Sequence, residues 1–156
     1  MAPAATFSLS NWAEPLRQAL QPRLRAAVED AVPRRFAEAC IYPLETGGKR
    51  VRPLLCLAAT QAVGSEPNAA TWAAAVAIEL VHTYAVVHDD LPAMDDDDER
   101  RGRPTVHKAY DDGVAVLVGD ALLTAAFEVL ARVEDPALAI ALVRELSDAA
   151  GHRGMI

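Results

Sequence analysis

The sequence predicts an all-α fold, and three observations predict it. Proline and glycine punctuate the chain into apolar segments of helical length. No stretch sustains the every-second-residue alternation and hairpin turns of strands. The 156 residues are 52% hydrophobic but only 5% aromatic, and the weight falls on alanine and leucine, which favour close-packed helices. These helices are too apolar all round to stand alone, so they belong to a large bundle. The length fits one domain.

The elements follow in order. A first helix is expected from about Ser10 to Ala31, where Trp12, Leu16, Leu20, Leu24 and Val28 recur near a period of four. Pro33 starts a second, running to about Leu44. Thr46-Gly47-Gly48 breaks the chain and Lys49-Arg50-Val51-Arg52 follows. Pro53 opens a third helix at a position where proline is favoured, and Gly64 ends it. Asn68 caps a long helix to about Asp90, which Pro92 breaks. Gly102 to Tyr110 reads as loop or short helix. Asp111-Asp112-Gly113 leads into an apolar helix from Val114 to Arg132, and Pro136 starts the last, to about Ala150.

A net charge of -7 argues against general nucleic-acid binding, because no dominant positive surface exists to draw a phosphate backbone. The basic residues are clustered instead. Cys40 and Cys56 match no zinc spacing and read as reduced, core-facing thiols. The N-terminus lacks a signal-peptide pattern, and the alanine-rich stretches read as interrupted or too short to span a bilayer. The expectation is a soluble cytoplasmic protein without a stable membrane anchor.

The chemistry concentrates at His88-Asp89-Asp90-Leu91-Pro92-Ala93-Met94-Asp95-Asp96-Asp97-Asp98-Glu99, where six aspartates fall within ten positions and Arg100, Arg101 and Arg103 follow. That charge ends an apolar helix, and it costs free energy there unless cations offset it. Asp89 and Asp95 flank the Pro92 break, so both carboxylates can approach one cation. Magnesium suits such a pair, since it keeps waters and takes substrate phosphate oxygens. The alternative is a solvated acidic loop, the reading that Asp96 to Glu99 alone would favour. His82 lies two turns before Asp89 on the same face, either to donate to a phosphate oxygen or as a satisfied core histidine. His88 points elsewhere and reads as structural. The Gly47-to-Pro53 segment offers close backbone approach, three cations and a helix N-terminus, which is either an anion site or a solvated basic turn. Arg100, Arg101 and Arg103 either neutralise the aspartates or form a second anion site.

Three stretches, GGKRVRP, VHTYAVVHDDLPAMDDDDERRGRPTVHKAY and VGDALLTAAFEVL, resemble the trans-isoprenyl diphosphate synthases, the polyprenyl synthetase family, and most of all the bacterial farnesyl and geranylgeranyl types. The resemblance runs from about Arg35 onward. It implies the isoprenoid synthase-type helical bundle around a deep cavity, usually a homodimer, with Mg2+ as cofactor. It implies that Asp89 and Asp95 bind the metal with Asp90 in support. Arg100 would hold the allylic (dimethylallyl or geranyl) diphosphate, and Lys49, Arg52, His82 and Arg101 the diphosphate of isopentenyl diphosphate. The implied reaction is ionisation of the allylic diphosphate, attack by the isopentenyl double bond, and proton loss.

Tyr84, five residues before Asp89, and Ala85, four before, stand where the family sets chain length. The aromatic at 84 and the four residues between Asp90 and Asp95 resemble the bacterial farnesyl type, with geranylgeranyl the next reading; Tyr84 as plain core is the alternative. The family's second aspartate-rich motif is not in this sequence. Residues 1–156 are therefore expected to form a single partial domain, the N-terminal portion of the bundle, inactive alone. The alternative is a non-catalytic synthase-like subunit that pairs with a full synthase.

Overall fold

A computed structural model describes residues 8–155. It is helical as expected, with seven helices among the described residues: α1 (Leu9–Ala26), α2 (Arg34–Leu44), α3 (Val51–Ala62), α4 (Ala69–Asp89), α5 (Val106–Ala109), α6 (Asp112–Ala131) and α7 (Pro136–Ala150). A two-stranded antiparallel ribbon, β1 (Glu99–Arg100) and β2 (Arg103–Pro104), lies between α4 and α5.

Side-chain caps explain where the long helices begin. Asn68 and Thr71 form a reciprocal capping box on α4, Asp111 accepts from the Val114 N–H at α6, and Asp135 accepts from Ala137 and Leu138 at α7. Such caps contribute about 1 kcal/mol each. α3 begins two residues before Pro53, at Val51, so the proline sits within the first turn, where no helical N–H is lost. α1 ends at Ala26, five residues short of expectation. Its last N–H bonds tighten into i→i−3 turns, and Pro33 forces Val32 out of helical conformation. Val28 keeps the apolar periodicity alive beyond the helix end because it is buried from within the turn.

The core lies mainly between α4 and α6, which make the most extensive contact in the fold. Leu80, Tyr84 and Val87 of α4 pack with Val118, Leu122 and Ala126 of α6. At 21 and 20 residues these two helices are long and apolar enough to cross a bilayer by length and composition. The expectation that the apolar stretches are too short is therefore corrected. Here both are central helices of the bundle. α1 fastens to α3 through Trp12 Nε1 donating to Gln61 at 2.8 Å, and to α4 through Arg23 stacked 4.5 Å above Trp72. Cys40 is buried, and burial pushes its thiol up to about 11; Cys56 is half-buried, and both are free.

Candidate active site

The glycine turn before α3 and the middle of α4 border a cleft of about 400 Å³. Lys49, Arg52, His82 and Arg101 all line it, so residues from three separate segments of the sequence meet in one place. Backbone conformation builds the turn: Gly47 and Gly48 have φ of 79° and 126°, and Arg50, at the N-cap of α3, has φ of 50°. A Cβ at Gly48 would lie within 3.0 Å of the Arg101 guanidinium, which also donates to the Gly47 carbonyl. The space that Gly48 clears is taken by Arg101. Sequence reasoning assigned that space to a ligand.

Arg50 behaves differently from its two basic neighbours. Lys49 and Arg52 are exposed, whereas Arg50 is turned inward and is only 7% exposed. It donates to Glu79 Oε1 at 2.7 Å, to the Leu44 carbonyl at 2.5 Å and to Gln21 at 3.3 Å. A buried charge needs a partner and a filled hydrogen-bond set, and this fork has both. Glu79 was missed by sequence reasoning. Its signal was present: it is the one formally charged residue between Ala69 and Val87. His82 sits one turn further along α4 and is half-buried. Burial first, and then the Arg52 guanidinium, lower its pKa, while Glu79 pulls the other way and Arg101 and Arg50 add to the lowering. The site therefore favours neutral imidazole.

A second, much narrower cleft of about 30 Å³ shares Arg50, Glu79, His82 and Arg101 with the first and adds Asp90 and Arg100. The ribbon separates the two arginines. Arg101 and Gly102 both have positive φ (56° and 75°), as a two-residue hairpin turn with right-handed twist requires. Arg101 is thereby directed to the glycine turn, and Arg100 to Asp90. Arg100 Nε donates to both Asp90 oxygens at 2.8 and 3.0 Å, and Nη2 to Asp90 at 2.5 Å and Asp97 at 3.1 Å. The hydrogen bond to Asp90 holds the Arg100 pKa above its usual range. The ribbon is anchored on α2, where the Tyr42 hydroxyl donates to the Pro104 carbonyl at 2.8 Å and Arg103 stacks 4.4 Å over the Tyr42 ring.

The acidic loop curls back over the end of α4. The Asp95 N–H donates to the Asp89 carbonyl at 2.8 Å, and the Asp96 N–H to the Leu91 carbonyl at 3.1 Å, which satisfies carbonyls that the helix end leaves open. Asp89 and Asp95 thus adjoin through the backbone. Cations then sort the carboxylates. Asp90 and Asp97 are paired with Arg100, and Asp98 with Lys108 at 2.9 Å, a hydrogen bond that lowers the Asp98 pKa. Asp89 and Asp95 are exposed and form no ion pair among the described residues. Two exposed hard-oxygen donors joined through the backbone have the chemistry that suits magnesium, which needs few protein ligands. Asp96, Asp98 and His107 also gather within 4.8 Å of one another. Sequence reasoning did not single them out. In that group Asp98 is already engaged by Lys108, and His107 Nδ1 lies 3.1 Å from the Thr105 hydroxyl.

Tyr84 is buried between α4 and α6, its ring edge-to-face with His88 at 5.8 Å; Ala85 is half-buried beside it. Burial first, then the Asp89 charge, raise the phenol pKa. His88, read as structural, contacts α6 through the Val116 carbonyl at 3.0 Å.

Comparison with known proteins agrees with the helical fold. A family model described as Polyprenyl synthetase matches residues 33–154. A farnesyl diphosphate synthase of Geobacillus stearothermophilus is 41% identical over 97% of this chain and 52% of its own length. The large subunit 1 of a chloroplastic heterodimeric geranylgeranyl pyrophosphate synthase of Arabidopsis thaliana is 43% identical over 97% of this chain and 42% of its own. The apo crystal structure of an FPP/GFPP synthase from Zymomonas mobilis superposes with a TM-score of 0.86 at 41% identity, covering 94% of this chain and 54% of that one. The chain spans about half the length of the relatives it matches.

Proposed function

The chain belongs to the polyprenyl synthetase family, and from that membership we propose that it carries the diphosphate-binding half of a magnesium-dependent prenyltransferase, which joins isopentenyl diphosphate to dimethylallyl or geranyl diphosphate. The observation that carries the reading is the cleft where Lys49, Arg52, His82 and Arg101 converge, adjoined by a second that reaches Asp90, the chain neighbour of Asp89, and Arg100. Cations of this kind bind a diphosphate through charge-assisted hydrogen bonds. Lys49, Arg52 and Arg101 hold the isopentenyl diphosphate there, with His82 donating beside them. Arg100, steadied by Asp90, presents its remaining donor edge to the allylic diphosphate.

Asp89 and Asp95 are the residues that would hold magnesium, with Asp90 supporting them through Arg100. The metal would supply electrostatic stabilisation of the departing diphosphate. The protein's own share is to place the two diphosphates on opposite sides of Arg101 and to keep Arg100 oriented before substrate arrives. A homodimer is part of the proposal, as in the family resemblance.

Farnesyl diphosphate is the proposed product. It is supported by Tyr84, buried upstream of the metal carboxylates, and by the four residues between Asp90 and Asp95. Geranylgeranyl diphosphate is the second reading, favoured by the 43% identity to the plant geranylgeranyl synthase subunit. The test is product analysis in a full-length synthase in which residues 1–156 are joined to the C-terminal half of a relative. Farnesol after dephosphorylation supports the first reading and geranylgeraniol the second. Product independent of magnesium would overturn both. Lys49→Ala and Arg52→Ala should mainly raise the apparent Michaelis constant for isopentenyl diphosphate. The 156-residue chain alone should make no product at a useful rate.

A further inference from the structure

α4 and α6 meet closely where the His88 ring enters a notch left by Gly119. A Cβ on Gly119 would fall less than 3.0 Å from three imidazole atoms. Glycine inside a helix of 20 residues costs about 1 kcal/mol relative to alanine, so its place here has a packing reason, and the ring supplies it. His88 Nε2 lies 3.0 Å from the Val116 carbonyl oxygen. A carbonyl can only accept, so Nε2 carries the hydrogen and donates it. Tyr84 stands one turn earlier on the same face of α4, its ring at 81° to the imidazole. No hydrogen bond to the Tyr84 hydroxyl forms among the described residues, so packing alone sets the angle of that ring. Val116 and Gly119 of α6 therefore seat His88, and His88 packs edge-to-face against Tyr84.

We propose that His88 is a positioning residue for product length, which, seated in the Gly119 notch and bonded to the Val116 carbonyl, holds the Tyr84 ring across the end of the prenyl cavity. The proposal rests on the reading of Tyr84 as the floor of that cavity. His88 touches neither substrate nor metal in this scheme. Gly119 matters because any larger residue evicts the ring that steadies the floor.

The test compares products of the full-length synthase carrying Tyr84→Ala, His88→Ala, His88→Gln, Gly119→Ala and the Tyr84→Ala/His88→Ala pair. An edge-to-face contact of this kind is worth enough to shift the ratio of geranylgeranyl to farnesyl product by about two- to tenfold, and His88→Ala should do so. His88→Gln keeps a donor for Val116 and should recover part of the parental ratio. The double variant should lengthen the product no more than Tyr84→Ala alone, because His88 acts through Tyr84. Gly119→Ala should shift the ratio the same way; if it fails to fold, His88→Ala, which inserts nothing, still decides. A His88→Ala enzyme with a lower melting temperature but the parental ratio, alongside a Tyr84→Ala enzyme that lengthens, would leave His88 purely structural and overturn the proposal. Independent, multiplying effects in the double variant would overturn it too. A Tyr84→Ala enzyme with unchanged products would remove the floor itself, and the proposal with it.

Discussion

The Arg50 guanidinium and the Glu79 carboxylate meet at 2.7 Å beneath both clefts, with side chains 6% and 3% exposed. The pair ties the N-cap of α3 to the middle of α4, and so sets the distance between the glycine turn and His82. Removing one partner strands a buried charge. Glu79→Ala should therefore destabilise the fold by about 3–5 kcal/mol, and Arg50→Ala by a similar amount. Urea unfolding monitored by circular dichroism measures this. Replacing both by a leucine–methionine pair should recover much of the loss, since apolar substitutes of similar volume avoid the desolvation cost. A single substitution costing under about 1 kcal/mol, the range of exposed ion pairs, would show that the pair is hydrated in solution.

Gly48 is a second point where backbone and side chain are coupled. Its φ of 126° is unfavourable for any L side chain, and a Cβ there would overlap Arg101. Gly48→Ala should cost more than the roughly 1 kcal/mol that a helix-interior glycine exchange involves. It should also displace Arg101 and weaken diphosphate binding by about tenfold, as expected for one lost charge-assisted contact. Calorimetry with inorganic diphosphate reads the binding, and thermal melts read the stability. Gly47→Ala should show the strain without the displacement, because nothing stands within 4 Å of its missing Cβ.

Much of this was legible in the sequence because it is local. Asn68 announces the start of α4 through a side chain that caps its own backbone, Asp111 leads into α6, and Pro136 opens α7. The Asp89–Asp95 break shows at Pro92. What stayed hidden is long-range or very short. Arg50 and Glu79 are 29 positions apart, and no spacing rule separates Arg50, which folds inward, from Lys49 and Arg52, which do not. The ribbon has two-residue strands, too short for alternation to register; its one sign was Gly102, a residue suited to the positive φ of a tight turn. The Gly119 notch shows in sequence only as a glycine within an apolar helix, with nothing to connect it to His88.

His82 predicts a pH dependence. Its folded pKa lies below the ordinary value of about 6.5 through burial and then Arg52, with Arg101 and Arg50 in the same direction and Glu79 opposed. Around and below that value the unfolded chain binds the extra proton and the folded chain resists it. Stability should therefore rise with pH through this window and fall as the solution is acidified below about 6.5. His82→Gln should remove that part of the slope. An anion in the cleft reverses the balance, since its charge favours imidazolium. Sulfate, whose charge is constant over the range, should bind more tightly at pH 6 than at pH 8, with proton uptake, because binding raises the His82 pKa. Calorimetry in two buffers of different ionisation enthalpy measures the uptake. Equal uptake in the His82→Gln protein would assign the proton elsewhere.

Asp89 and Asp90 are neighbours with opposite commitments, and substitution should separate them. Asp89 is exposed and unpaired among the described residues, so Asp89→Asn should leave the melting temperature nearly unchanged, as surface substitutions do. It should abolish the joint binding of magnesium and a bisphosphonate, because a hard-oxygen ligand is lost. Asp90 is 3% exposed and grips Arg100 through both oxygens. Asp90→Asn should cost about 1.5–3 kcal/mol of stability, the range for a hydrogen bond to a charged group. It should also loosen Arg100, weakening binding of the bisphosphonate even without magnesium. Parallel melts and titrations of the two variants, each with and without metal, separate the two roles. Loss of stability in the Asp89 variant, or metal-free binding untouched in the Asp90 variant, would reverse the assignment of ligand to the first carboxylate and strut to the second.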